Sequence, residues 1–220
     1  MAVSFRGTHR GDYELVVPPN CTICSYPLSS KSAQCVRPTA HATSLRKIYT
    51  IGIYYSFDGI QSRFLSKHIN NLKGYINKAE PLGLGIAELI NKRDIELLKF
   101  DCIVPVPQEE SELHTDGDSG QKFNQAEKLA EWISNTVHIP IVSALVKLKP
   151  HSQQNRSATE RSETTVGLYQ CKRDLIDRKS VLLVDDVTTS GSTLVRCAEE
   201  LTKAKANEVR AYVCGINNFR

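Results

Sequence analysis

The chain has 220 residues, 28 Lys and Arg against 24 Asp and Glu, a net charge of +4 and 40% hydrophobic residues, enough for one ordinary domain with a sizeable core and a small appendage. No apolar run approaches the roughly 18 residues that a membrane-spanning helix needs, and Met1 to Tyr13 lack the apolar core of a secretory signal. A disulfide framework is also excluded, because seven Cys is an odd number and Cys102, Cys171, Cys197 and Cys214 fall singly in strand- or helix-like segments. The expected location is the cytoplasm, with no membrane insertion. The modest positive charge permits nucleic-acid binding without implying it.

Residues 1–20 carry several charges and little hydrophobic pattern, which predicts a disordered or loosely ordered lead-in. Residues 21–45 form a Cys-containing element rich in Ser, Pro and Thr. Within it Cys21-x-x-Cys24, Cys35 and His41 offer three thiolates and an imidazole, a donor set acceptable to structural zinc; the rival reading is a metal-free remnant. The main domain is expected over 46–220. Ile48 to Phe57 alternates like a strand, and Ile60, Phe64, Leu65, Ile69 and Leu72 then fall on one helical face. Pro81 is expected to open another helix with Leu82, Ile86, Leu89 and Ile90 inward, and Asp101 to Pro107 forms the next strand. Phe123 to Val137 is predicted as a helix with Ala126, Leu129, Ala130, Ile133 and Val137 on its apolar side. Val181-Leu182-Leu183-Val184 reads as a strand buried on both faces, followed by a helix over Ser192 to Lys205 and a strand over Val209 to Ile216. This alternation predicts an α/β fold, a mostly parallel sheet with flanking helices and ligands at the carboxyl ends of its strands.

The chemistry concentrates where the third of these strands ends. Asp185 and Asp186 are followed by Val187 and by the small, hydroxyl-rich turn Thr188-Thr189-Ser190-Gly191-Ser192-Thr193, which leads into a helix. Such a turn offers backbone N–H groups and hydroxyls to a phosphate, Gly191 allows close approach, and the helix adds its positive dipole end. Paired carboxylates repel that phosphate but accept hydrogen bonds from neighbouring sugar hydroxyls, so the pair reads ribose. A Walker loop is excluded by the missing Gly-Lys pair, and Gly83-Leu84-Gly85 reads as a helix start rather than a dinucleotide fingerprint.

At these residues the chain resembles the phosphoribosyl-diphosphate motif of type I phosphoribosyltransferases, with Ser190 where a second Thr is usual. Val104-Pro105-Val106-Pro107, Phe123-Asn124-Gln125-Ala126 and Arg161-Ser162-Glu163-Thr164 before Gly167-Leu168-Tyr169 extend the resemblance to ComF-type proteins over roughly residues 20 to 216. The resemblance implies that Asp185 and Asp186 hold the ribose hydroxyls and that the Thr189–Thr193 loop holds the 5′-phosphate, with Thr188 alongside. It also implies that Val106 and Pro107 lie at the diphosphate, with Lys73 and Arg161 as anion contacts, that magnesium accompanies the ligand, and that an N-terminal zinc element is present.

One stretch departs from that pattern. Gln108 to Lys122 holds five acids and one Lys where the family usually places several Arg, and acids near the diphosphate oppose its departing charge. A loop that stays in solvent is the bland reading. Two functions remain open. The first is transfer of a phosphoribosyl group from phosphoribosyl diphosphate to an unidentified acceptor. The second is a non-catalytic sensor of phosphoribosyl diphosphate or ribose 5-phosphate that acts in DNA uptake, binding single-stranded DNA through Lys147, Lys149, His151, Arg156 and Arg161. A homodimer is compatible with either.

Overall fold

The computed structural model describes residues 21, 23, 35, 43–54, 64–85, 100–148 and 168–217. In chain order the strands are β1 (Ile48–Tyr54), β2 (Cys102–Pro105), β3 (His114–Thr115), β4 (Lys122–Phe123), β5 (Leu145–Lys147), β6 (Tyr169–Cys171), β7 (Ser180–Thr188) and β8 (Glu208–Asn217). The helices are α1 (Phe64–Leu72), α2 (Gln125–Val137) and α3 (Ser192–Lys203), and residues 79–85 are also helical. As the alternation predicts, β1, β8, β7 and β2 form a parallel sheet in that order. Two antiparallel pairs, β3 with β4 and β5 with β6, stand apart from it. Among the described residues no helix is long and apolar enough to cross a membrane.

The run Val181 to Val184 is buried on both faces because helices cover both. Successive strand residues point to opposite sides. Val181 and Leu183 therefore share an apolar cluster with Leu194, Ala198 and Leu201 of α3, while Leu182 and Val184 share the opposite one with Leu129 and Ile133 of α2 and with Leu65 and Ile69 of α1. Burying each such side chain stabilises the fold by about 1.5–3 kcal/mol. The motif strand is thus firmly held between two layers and between β2 and β8, which makes its carboxyl end a rigid platform. Cys21 and Leu45 lie in the α3-side cluster, with Ile23 and Cys35 packed against it, so these points of the Cys-containing element share the main core. Residues 1–20 lie outside the described residues.

Several boundaries differ from the sequence expectation. β7 continues through both acids to Thr188, because each of these residues except Asp186 is in register with β8, as in Asp185 with Val213 and Val187 with Gly215. Phe123 is not helical: it pairs with His114 in the β3–β4 hairpin, and Asn124 becomes the N-cap of α2, accepting from the Ala126 N–H at 2.9 Å. The helix at Pro81 begins two residues earlier, at Ala79, which keeps Pro81 within the first turn where its missing N–H costs nothing. α3 stops at Lys203 rather than Lys205, whose φ of 68° is left-handed. Leu82 is buried as expected, whereas Ile86, Leu89 and Ile90 lie outside the described residues.

Candidate phosphate and sugar site

The carboxyl end of β7 presents Asp185 and Asp186 half-buried. Each carboxylate turns back on its own chain: the Asp186 N–H donates to Asp185 Oδ1 at 3.0 Å and the Val187 N–H to Asp186 Oδ1 at 2.7 Å. Burial, followed by the negative charge of Asp186, pushes the Asp185 carboxyl well above the usual carboxylate range. Burial also raises Asp186, opposed by the Val187 N–H and by the charge of Lys73. The pair is therefore short of compensating partners in the unliganded chain, as expected of groups placed for a ligand's hydroxyls or for a cation.

The turn that follows is shaped by Gly191, whose φ of 85° is left-handed and favours glycine at the N-cap of α3. Glycine offers no side chain to cap the helix, and of the first-turn N–H groups that of Ser192 donates to Ser190 Oγ at 3.3 Å. The Ser190 and Ser192 hydroxyls hydrogen-bond each other, Thr188 is buried, and Thr189 and Thr193 are exposed. This combination of hydroxyls, a dipole end and close backbone can seat one phosphate.

Neighbouring elements supply the rest of the rim. Val106 is fixed at both backbone groups: its N–H donates to Val184 of the motif strand at 2.9 Å, and its carbonyl accepts from Asn124 Nδ2 at 2.9 Å. Pro107, half-buried, follows directly, and Gln108 Nε2 donates to Gln125 Oε1 at 3.0 Å. The predicted diphosphate-side residues Val106 and Pro107 are thereby brought beside the acid pair. Lys73, just past α1, lies within electrostatic reach of Asp186 and 5.6 Å from the Tyr54 ring centre. Arg161 lies outside the described residues, as do Lys149, His151 and Arg156.

The acidic stretch 108–122 is a built hairpin whose carboxylates have partners, Glu109 among them through a capping box with Glu112. Glu110 meets Lys122 at 3.6 Å, Glu112 meets Lys147 at 2.5 Å, and Asp118 accepts from Asn77 at 3.2 Å. Asp116, buried, accepts from the Ile76 N–H at 2.9 Å, the Ser119 N–H at 3.0 Å and the Ser119 hydroxyl at 2.6 Å, and these bonds hold its carboxyl below the ordinary range. Burial pushes the Glu112 carboxyl up, but the Lys147 hydrogen bond, the Glu109 N–H and the Lys147 charge together outweigh it and hold the carboxyl below its ordinary value. Most of the acids thus hold the hairpin together or dock it on the turn after α1.

Sequence reasoning gave no site role to Tyr169, His114 or Asn124, and read Lys147 only as part of a basic stretch. Lys147 and Tyr169 face each other across the β5–β6 ladder, with the Lys147 ammonium 6.0 Å from the ring centre. Lys147 is close enough to Asp185 to favour its charged form, Tyr169 lies close enough to Thr193 to be influenced by it, and His114 favours the charged form of Asp186. The cap signal at Asn124 was visible beforehand. The cross-strand pairing of residues 22 apart in sequence was not.

Of the residues expected to hold zinc, Cys21 is buried and Cys35 half-buried against the same cluster, while Cys24 and His41 lie outside the described residues. Among the described residues no group of three or more His, Cys, Asp or Glu is arranged to hold a metal ion. The acid pair alone supplies two hard oxygen donors, which suits a cation that takes the rest of its shell from a ligand.

The phosphoribosyl transferase domain family matches residues 124–215. Competence protein F of Haemophilus influenzae is 27% identical over 199 residues, covering 88% of this chain and 83% of that protein. Competence protein ComFC of Bacillus subtilis is 30% identical over 117 residues, covering 52% of this chain and 44% of its own length. Among solved structures, a glutamine phosphoribosylpyrophosphate amidotransferase from B. subtilis is 20% identical with a TM-score of 0.41, covering 73% of this chain and 29% of its own.

Proposed function

Since the chain is a ComF-type member of the type I phosphoribosyltransferase superfamily, we propose that it binds phosphoribosyl diphosphate, and the related ribose 5-phosphate, at the carboxyl end of β7. The observation that carries this reading is the under-compensated pair Asp185 and Asp186 beside a glycine-capped helix start. In this reading the two carboxylates accept hydrogen bonds from the ribose hydroxyls, and the turn Thr188 to Thr193 seats the 5′-phosphate. Val106 and Pro107 border the diphosphate, and Lys73 and Arg161 offset its charge. Magnesium fits the donor set of Asp185 and Asp186, and when bound with the ligand it would spread the negative charge of the leaving diphosphate.

A transfer reaction at this site breaks the bond between the anomeric carbon and the diphosphate oxygen, and forms one from an acceptor nucleophile on the opposite face. Asp185 and Asp186 hold the ring in place while positive charge develops on it, and the rigid β7 platform keeps them there. The second reading, a non-catalytic sensor in DNA uptake, is favoured by the names of the two competence proteins. Calorimetry with both ligands tests the site: wild type should bind both, and Asp185→Asn with Asp186→Asn should weaken each at least tenfold, the loss of about 1.4 kcal/mol or more. Unchanged affinity in the double variant refutes the placement. Diphosphate release from labelled ligand, with and without acceptors, separates enzyme from sensor.

A further inference from the structure

We propose that Lys147 is a phosphate-binding residue of this site which Glu112 occupies until the ligand arrives, so that the acidic hairpin acts as a competing anion. The inference rests on the reading of the 185–193 turn as a phosphate seat. Lys147 borders that seat: its charge acts on Asp185, its ammonium is 6.0 Å from the Tyr169 ring centre, and Tyr169 in turn lies close enough to Thr193 to be influenced by it. Its charge also reaches Cys197, one turn beyond Thr193 on the same side of α3. Its side chain is only 19% exposed, which orients it along the pocket wall instead of into bulk water.

Glu112 is placed differently. Its side chain is 42% exposed and reaches Lys147 at 2.5 Å from a short helical turn on the hairpin. A dianionic phosphate on the Thr189–Thr193 turn offers Lys147 more charge and more acceptor oxygens than one carboxylate does. Binding therefore replaces Glu112 as the partner of Lys147, and Glu112, partly exposed and holding the Glu109 N–H at 3.0 Å through its other oxygen, is rehydrated at the oxygen set free. The anion that Lys147 serves is the 5′-phosphate, because its cross-strand neighbour Tyr169 lies toward Thr193, at that end of the site.

Calorimetry with ribose 5-phosphate and phosphoribosyl diphosphate on five proteins tests this: wild type, Glu112→Gln, Glu110→Gln, Lys147→Gln and the Glu112→Gln/Lys147→Gln double variant. Glu112→Gln should tighten both ligands about threefold to fivefold, the range set by a partly exposed ion pair. Lys147→Gln should weaken both by about tenfold or more, as loss of a charge-assisted hydrogen bond does. Glu110→Gln removes the same charge from the same hairpin without touching Lys147, and should leave affinity unchanged. In the double variant the gain from Glu112→Gln should vanish. Equal tightening by Glu110→Gln, a gain that persists without Lys147, or tightening confined to phosphoribosyl diphosphate overturns the proposal. Failure of wild type to bind either ligand overturns the underlying reading of the turn, a different result from binding that is indifferent to Glu112.

Discussion

Asn124 joins two parts of the site, and its replacement offers a measurable test of how the site is held. Its Oδ1 accepts from the Ala126 N–H at 2.9 Å and caps α2, while its Nδ2 donates to the Val106 carbonyl at 2.9 Å in the turn beside the acid pair. The residue is 2% exposed, so water cannot replace either bond. Asn124→Ala should lose about 1 kcal/mol for the cap and a further ~1–3 kcal/mol for the buried carbonyl left without a donor. The sum, about 2–4 kcal/mol, is a large part of an ordinary domain's ~5–15 kcal/mol stability. Asn124→Ser keeps a capping oxygen but has no donor that reaches Val106, and should lose only the second part. Urea unfolding followed through Trp132, the single Trp and itself on α2, measures both. Phosphoribosyl diphosphate should weaken more than ribose 5-phosphate in either variant, because the Val106 turn borders the diphosphate. A Ser variant as stable as wild type would show that the Val106 bond contributes nothing, and an Ala variant within about 0.5 kcal/mol of wild type would remove the cap from the account as well.

The acid pair predicts a stability gain on losing function. Asp185 titrates above the ordinary range because burial, then the charge of Asp186, disfavours ionisation, and Asp186 because burial does; a raised folded value means that the protonated acids favour the fold, a contribution lost as pH rises through the raised values. Unliganded Asp185→Asn/Asp186→Asn should therefore melt above wild type at neutral pH, with the gap closing toward the ordinary carboxylate value of about 4; a gap that is constant with pH contradicts the assignment. For the Cys-containing element we expect one zinc per chain, held by Cys21, Cys24, Cys35 and His41. Elemental analysis of protein expressed in zinc-replete medium checks it, and metal-free protein makes the element a remnant.

What the sequence disclosed was local. Val181 to Val184, the two acids and the glycine-centred turn are contiguous, so strand, carboxylates and helix start could be read from one run of residues. Boundaries failed where a non-periodic residue decides them. Phe123 fits the apolar stripe of α2, yet its pairing with His114 takes it into a hairpin, and Asn124 then starts the helix. The hairpins were illegible for a different reason. β3 and β4 have two residues each, too short for an alternation, and their position is set by Asp116 bonding to Ile76, forty residues away in sequence. Lys147 was visible as a charge, but nothing near it in sequence names Glu112, Asp185 or Tyr169 as its surroundings.

The arrangement of charge explains how acids and a phosphate seat can share one strand end. Each carboxylate has a lysine within electrostatic reach, Lys147 toward Asp185 and Lys73 toward Asp186, and the two come from opposite flanks of the sheet's carboxyl edge. The acidic hairpin touches both arrangements. It bonds Lys147 through Glu112, and through Asp116 and the Gly117 N–H, which donates to the Gly74 carbonyl at 2.8 Å, it is fixed to the turn that carries Lys73. Those are short, partly buried bonds, so the hairpin and the Lys73 turn behave as one body. A displacement of the hairpin large enough to free Lys147 at one carboxylate must then shift Lys73 at the other, unless the Glu112 side chain alone swings away. Its 42% exposure leaves room for that swing, which also gives up the Glu109 N–H bond to Glu112 Oε2 at 3.0 Å. Exchange at Lys147 is then a local change at Glu112, while the Asp116 anchor keeps Lys73 in place.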